Sequence, residues 1–219
     1  AELEEHAPGF DVIGFPTFDS FEATDPRASY LNGLAQALKT LGLDSTATTL
    51  AIESEWAPLM AGAFFPEKQI DAAEPLRRAR WIKTEREIEL LRTASKLADI
   101  GHTTLDRLCD EAGQNEIAMW CEISNQIFME AGREIPLTGE LVTGPRATVV
   151  LYPNGPRNRV TEAGDAALMD LSGRFQGYWF DCTNTHIIAG WPSAEEKRYA
   201  NASQDACEAA MAALKPGAK

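Results

Sequence analysis

The spacing of apolar residues changes part-way along the chain from a helical period to a strand period. Between Thr84 and Gly132 apolar positions recur every three or four residues, which predicts two amphipathic helices. Thr84 and Glu87 form a capping box at the start of the first, and Gly132 ends the second. Short β-rich runs separated by Gly, Pro and Asn follow, and the pattern returns to helix from Ser193 to Leu214. The second part of the chain therefore mixes helices with antiparallel strands.

The beginning of the chain has its own pattern. The pair Asp25-Pro26 supplies a helix cap and a first-turn proline, and the letters TTLAIES further on predict a strand. The basic letters EPLRRARWIKTE interrupt the pattern and predict a linker. We expect two domains: residues 1–79 as the later part of a small α/β domain, and residues 80–219 as a separate α+β unit.

Charge and cysteine usage exclude several classes of partner. With 33 acidic and 20 basic residues, the 219-residue chain carries a net charge of −13, which repels nucleic acid and anionic membrane surfaces. No stretch approaches the ~20 apolar residues of a membrane-spanning helix, and the first ten residues do not resemble a signal peptide. The four widely spaced cysteines predict reduced thiols packed in the core. We expect a soluble, cytoplasmic protein.

The stretch MDLSGRFQGYWFDCTNTH, residues 169–186, places Asp170 and Asp181 in two strand-like runs. A hairpin turn centred between Phe175 and Gln176 would make them direct cross-strand partners, where two like charges destabilise the sheet. A shared proton or one or two divalent cations would relieve the repulsion. Alternatively, both aspartates lie near the rim of the hairpin and are simply solvated.

The sequence also predicts where four other polar residues lie. Thr183 and Thr185 share strand parity with Asp181, so their hydroxyls are placed to bond the carboxylates, although both are also ordinary strand formers. His186 has the opposite parity and is expected on the other face of the sheet. His102 is expected in solvent on the polar side of its helix.

These motifs resemble the creatinase, prolidase and methionine aminopeptidase superfamily, from Arg80 to the end of the chain. The similarity lies in WIKTEREIELLRTASKLADIG, EAGQNEIAMWCEISNQIFMEAG, DLSGRFQGYWFDCTNT and ALKPG, with two aspartates eleven residues apart and GY three residues before the second. The resemblance implies the first half of an α+β pita-bread fold, with Asp170 and Asp181 as ligands of a site for two divalent ions (Mn, Co, Zn or Fe). More weakly, residues 1–79 resemble the end of the amino-terminal domain of prolidases, aminopeptidases P and creatinases.

The resemblance also implies an activity. It predicts an exopeptidase of the Xaa-Pro aminopeptidase or dipeptidase type, in which a metal-bridged hydroxide attacks the peptide bond. However, Asn154 stands where the family commonly has a proton-transferring histidine, and asparagine does not transfer a proton at neutral pH. This departure favours a hydrolase or lyase of a small non-peptide molecule, such as a creatinase or ectoine hydrolase. Tyr152 is a candidate substrate contact as well as a candidate core residue.

The remaining ligands of the family, a histidine and two glutamates, come from the second half of the pita-bread, for which this sequence has no counterpart. We therefore expect a fragment that lacks a complete active site and binds little or no metal by itself. The full-length protein is expected to be a homodimer acting on a small peptide or another small molecule. A non-catalytic binding or dimerisation module is the third alternative.

Overall fold

The computed structural model describes residues 21, 23, 25–43, 49–53, 69–148 and 155–218. The chain divides into two compact units, residues 1–82 and 83–219.

The described residues of the first unit form two helices and a pair of short strands. In chain order, these elements are α1 (Pro26–Thr40), β1 (Leu50–Ile52), β2 (Gln69–Asp71) and α2 (Ala73–Ala79). Asp25 caps α1 as predicted, because its carboxylate accepts hydrogen bonds from two backbone N–H groups of the first turn. The strands pair in parallel. The boundary between the two units, after residue 82, lies inside the predicted linker, residues 74–85. The first half of that linker is helical, and Glu74 forms ion pairs with two arginines of the same helix. The assignment of this unit to the later part of a creatinase-type amino-terminal domain stays a prediction.

In residues 83–148 and 155–218 the second unit forms three long helices and a three-stranded sheet. Its elements are α3 (Glu85–Leu108), α4 (Glu116–Ala131), β3 (Leu137–Thr143), a 3-10 helix (Gly144–Thr148), β4 (Ala166–Phe175), β5 (Tyr178–Ile187) and α5 (Ala194–Ala213). The capping box of Thr84 and Glu87 is present, and Gly132 ends α4 with a φ of 69°. A second capping box opens α5 at Ser193. One of the β-rich runs, ATVVLY at residues 147–152, predicts a strand; residues 147–148 belong instead to the 3-10 helix, and the rest of the run lies outside the described residues.

The sheet is antiparallel in the order β3-β4-β5. β4 and β5 are joined by the two residues Gln176 and Gly177, with φ values of 47° and 92°. Positive φ at both central positions is the geometry of a type I′ hairpin turn. Phe175 therefore pairs with Tyr178, and the turn lies one residue further along the chain than predicted.

The core lies between one face of this sheet and the helices α3 and α4. Every second residue of β4 from Ala167 to Gly173 is buried, as expected for a strand with one covered face. Gly101 on α3 permits the close approach of helix and sheet, because a Cβ there would lie 2.4 Å from a methyl carbon of Leu171. A hydrogen bond also links β5 to α3, since the Tyr178 hydroxyl donates to the Glu87 carboxylate over 2.7 Å. By contrast, α5 has no buried residue among those described.

The cysteines divide between the core and the surface, and all four are free thiols. Cys109 is buried, and burial, reinforced by the nearby charges of Asp106 and Asp110, raises the pKa of its thiol to about 12. Cys121 and Cys207 are exposed, so the expectation of core packing is wrong for these two. No described helix is both long enough and apolar enough to cross a bilayer.

Candidate metal-binding carboxylates on one face of the sheet

Asp170 and Asp181 lie on neighbouring strands and on the same face of the sheet. Asp170 pairs with Thr183, and Asp181 pairs with Ser172. Residues two apart on a strand share a face, so the two aspartates are diagonal neighbours on the side opposite α3 and α4. The prediction of a shared face is confirmed. The prediction that they pair directly is wrong, because the shifted turn moves the pairing by two residues.

A hydroxyl group orients each carboxylate. The hydroxyl of Thr183 donates to Oδ1 of Asp170 over 2.6 Å, and the hydroxyl of Ser172 donates to Oδ1 of Asp181 over 2.7 Å. Each aspartate is thus held by its own cross-strand partner. Thr185 lies on the same face opposite Leu168, two pairs further from the turn than Thr183.

Glu140 is a third acid on this face, and sequence reasoning missed it. It pairs directly with Asp170 from the other side, on β3. We call the surface formed by Glu140, Asp170, Ser172, Asp181 and Thr183 the carboxylate face. The sequence signal was weak, because nothing in LTGELVTG indicates which residue of β4 will lie opposite Glu140.

The donor set suits a hard divalent cation. Carboxylate oxygens are the ligands that Mg²⁺, Ca²⁺ and Mn²⁺ prefer. Within residues 69–148 and 155–218, however, no group of three or more His, Cys, Asp or Glu side chains is arranged to hold a metal ion. Asp170 and Asp181 therefore fit part of a metal site, and a tight site requires further ligands.

His102 and His186 lie on the other side of the sheet. His186 follows its predicted parity and contacts Asp106 on α3, with 3.0 Å between Nδ1 and Oδ1. His102 is 8% exposed, and its Nε2–H donates to the backbone carbonyl of Cys182 over 2.9 Å. Burial lowers the pKa of His102 because it disfavours the charged imidazolium. The expectation that His102 is solvated is wrong, because β5 covers that side of α3.

Tyr152 and Asn154 lie outside the described residues, but the segments before and after them are held by a buried carboxylate. Glu116, the first residue of α4, is fully buried and accepts hydrogen bonds from Thr143, Arg146 and the backbone N–H of Arg157. A buried charge of this kind is stable only when its oxygens are hydrogen-bonded. Sequence reasoning missed this cluster because its members are far apart in the chain.

A second ion pair continues the cluster to the start of β4. Arg159 donates through Nη1 to the Thr143 hydroxyl and to Oδ2 of Asp165, over 2.6 Å each. Burial alone would raise the pKa of Asp165, but the bonds from Arg159 and from the Glu162 N–H outweigh it and lower that pKa. Asp165 directly precedes the strand that carries Asp170.

The sequence of this chain is similar to those of known peptidases. The sequence profile of metallopeptidase family M24 matches residues 89–219. The uncharacterized peptidase YqhT of Bacillus subtilis is 25% identical over 181 residues, covering 82% of this chain and 49% of the relative. A Xaa-Pro dipeptidase of Pyrococcus horikoshii is 26% identical over 184 residues, covering 83% of this chain and 49% of the relative. The chain spans about half the length of these curated relatives.

Solved structures give the same result for the fold. The X-Pro aminopeptidase of Thermotoga maritima matches with a TM-score of 0.62 at 22% identity, over 80% of this chain and 48% of that one. The prolidase of Pyrococcus furiosus matches with a TM-score of 0.60 at 21% identity, over 73% and 47%. The α+β architecture with a pita-bread fold is therefore confirmed over the part that aligns. The matched residues make up more than half of the chain, and the protein belongs to metallopeptidase family M24.

Proposed function

We propose that Asp170 and Asp181 are two of the metal ligands of a hydrolase of the Xaa-Pro dipeptidase or aminopeptidase type. The observation that carries this proposal is their shared face on adjacent strands, with one hydroxyl fixing each carboxylate. Asp170 also pairs directly with Glu140, and like charges directly opposite each other destabilise the metal-free sheet, which is a reason to expect a cation at this face.

In this proposal the two aspartates bind metal, and the neighbouring hydroxyl groups orient them. Divalent ions bound there would polarise the scissile carbonyl and lower the pKa of a nucleophilic water. Thr183 bonds one carboxylate oxygen of Asp170, and Ser172 bonds one carboxylate oxygen of Asp181. The second oxygen of each aspartate is then left to bind a metal ion. Such orientation of ligands by neighbouring hydrogen bonds typically changes metal affinity by 10–100-fold. Thr185 adds a further hydroxyl group on the same face of β5, beside Thr183.

The rest of the site is part of the proposal. A histidine and two glutamates from the second half of the pita-bread fold complete the ligand set, and without them the chain binds metal weakly. The ions are manganese or another of Co, Zn and Fe. The full-length protein acts in the cytoplasm as a homodimer on small peptides.

Asn154 favours a second candidate, a pita-bread hydrolase or lyase that acts on a small non-peptide molecule. An amide side chain donates and accepts hydrogen bonds but does not transfer a proton at neutral pH. Tyr152, two residues earlier, is proposed to contact the substrate in either case.

Turnover by the full-length protein that contains this chain tests the proposal. With Mn²⁺ and a panel of Xaa-Pro peptides, Asp170→Asn should lower turnover by more than about 100-fold, because the proposed metal site would lose one of its carboxylate charges. Asp205→Asn on the exposed helix α5 makes the same chemical change away from the sheet and should have no effect. Wild-type turnover in Asp170→Asn would refute the metal role.

The variant Asn154→His separates the two candidates. A positioned acid or base contributes typically 10²–10⁴-fold to a rate, so a peptidase with a weakened proton relay should gain activity on Xaa-Pro peptides. An enzyme for a non-peptide substrate should gain nothing on that panel.

A further inference from the structure

Arg174 borders the carboxylate face at the turn end of the hairpin. It lies on β4, two residues beyond Ser172 and four beyond Asp170, and residues two apart on a strand share a face. Its partner across the hairpin is Trp179, which lies two residues before Asp181 on β5. Arg174 is therefore a diagonal neighbour of Asp181, at a spacing of about 7–8 Å.

The positive charge of Arg174 is isolated on this sheet. The three described strands β3, β4 and β5 contain no other lysine or arginine, in a chain whose net charge is −13. Among the described residues Arg174 forms no ion pair, and Asp181 is bonded by Ser172 instead. By contrast, Arg146 and Arg159 are each paired with a carboxylate. The guanidinium of Arg174 thus keeps its N–H donors for a ligand.

Trp179 holds this guanidinium from one side. Cζ of Arg174 lies 5.6 Å from the centroid of the Trp179 ring, within the range of a cation–π contact. The backbone of Arg174 is fixed as well, since its N–H donates over 2.9 Å to the carbonyl of Pro136. Stacking on a ring uses the flat face of a guanidinium and leaves the N–H groups at its edge, which bind a carboxylate in pairs. A side chain that is already positioned loses less freedom when a ligand binds.

The spacing along this face suits a small substrate. In the proposed function the scissile carbonyl is held at Asp170 and Asp181. Each further residue of an extended substrate adds about 3.3–3.6 Å, so the spacing of about 7–8 Å between Asp181 and Arg174 is spanned by one to two residues. The acids of the carboxylate face repel an anionic group, whereas the guanidinium at its end attracts one.

We propose that Arg174, stacked on Trp179, is a specificity-determining residue that binds a free carboxylate of the substrate. The ligands are short peptides and other small amides whose carboxylate lies one or two residues beyond the scissile bond. This inference rests on the proposed function for the position of that bond, and it applies to the peptide and non-peptide candidates alike. An arginine that is merely solvated would have no effect on which substrates are cleaved.

Two matched substrates test the proposal in the full-length protein with Mn²⁺. An Xaa-Pro dipeptide and its C-terminal amide differ only in the carboxylate. The ratio of their kcat/KM values should fall by about 10–100-fold in Arg174→Met, because a hydrogen-bonded pair of charges contributes about that much to binding. The fall should come from a higher KM for the free acid, while kcat/KM for the amide stays unchanged. An unchanged ratio would overturn the proposal.

Three further variants separate a specific contact from a general effect of charge. Arg174→Lys keeps the charge but loses the paired N–H groups, so it should retain only part of the preference for the free acid. Trp179→Leu removes the stacking and should lower the ratio by about two- to fivefold. Arg198→Met is the matched control, since Arg198 lies 5.1 Å from the Tyr199 ring on the exposed helix α5. An equal fall in this control would overturn the specific role of Arg174.

Binding measurements separate this inference from the proposed function. Titration calorimetry compares proline with prolinamide, in the wild-type full-length protein and in Arg174→Met. Proline should bind at least about tenfold more weakly to the variant, with prolinamide unchanged, and this result supports the carboxylate site even if no Xaa-Pro peptide is cleaved. Equal binding of proline by both proteins, or none by the wild type, would overturn it. If Asp170→Asn abolishes turnover but the acid-to-amide ratio does not depend on Arg174, the inference fails and the metal role stands.

Discussion

The direct pairing of Glu140 with Asp170 makes a quantitative prediction for the metal-free chain. Glu140→Gln removes one of two like charges that face each other across adjacent strands. Like charges at this separation, about 5 Å between Cβ atoms, destabilise a sheet, and the pair terms are about 0.2–1 kcal/mol. Because both side chains are only partly buried, solvent screening limits the effect to this range. Glu140→Gln should therefore stabilise the second unit by about 0.5 kcal/mol.

Asp170→Asn removes the same repulsion but also weakens a hydrogen bond. In the wild-type chain the Thr183 hydroxyl donates to a charged carboxylate oxygen of Asp170. Hydrogen bonds to charged groups are stronger than bonds between neutral groups by up to about 1 kcal/mol. The two effects oppose each other, so this variant should change the free energy of unfolding by less than about 0.5 kcal/mol. The double variant should show a coupling energy equal to the repulsion of the pair.

Urea unfolding followed by tryptophan fluorescence measures these differences, in 0.1 M and 1 M NaCl. All three variants alter only the second unit, so the contribution of the first unit cancels in the cycle. The Debye length falls from about 10 Å to about 3 Å between the two salt concentrations, and the coupling should largely disappear. If Glu140→Gln destabilises the unit by more than about 0.5 kcal/mol, Glu140 makes a favourable contact and the repulsion argument fails.

Three further predictions concern the burial of individual side chains. Burial lowers the pKa of His102, so as the pH falls below about 6.5 the unfolded state binds a proton that the folded state does not. The free energy of unfolding should therefore decrease from pH 7 to pH 5. His102→Gln should reduce this pH dependence, as measured by urea titrations. Cys121 should react with iodoacetamide at pH 8 in the folded chain, whereas Cys109, with its raised pKa and buried thiol, should react only after unfolding, as read by peptide mass spectrometry. Gly173→Ala would place a Cβ 2.3 Å from the Phe180 ring, so it should lower the unfolding free energy by about 1–3 kcal/mol, and Phe180→Leu in the same chain should recover part of the loss.

Local signals in the sequence were sufficient for the helices of the second unit. The capping boxes at Thr84 and Ser193 and the glycine at 132 act within one turn of the helix, so their residues predict the ends without knowledge of the fold. The shared face of Asp170 and Asp181 was also predicted, because the turn moved by one residue and the pairing by two, which leaves each side chain on its predicted face.

The tertiary structure decided everything that depends on pairing between distant segments. The hairpin register followed from the turn at Gln176 and Gly177, and moving the turn by one residue exchanges the partners of both aspartates. The position of Glu140 beside Asp170 depends on how β3 docks on β4, about 30 residues away. His102 became buried because β5 packs over its side of α3, and the bonds of Glu116 join residues up to 41 positions apart. No local pattern encodes such contacts, since their energy is gained only after the chain has brought the segments together.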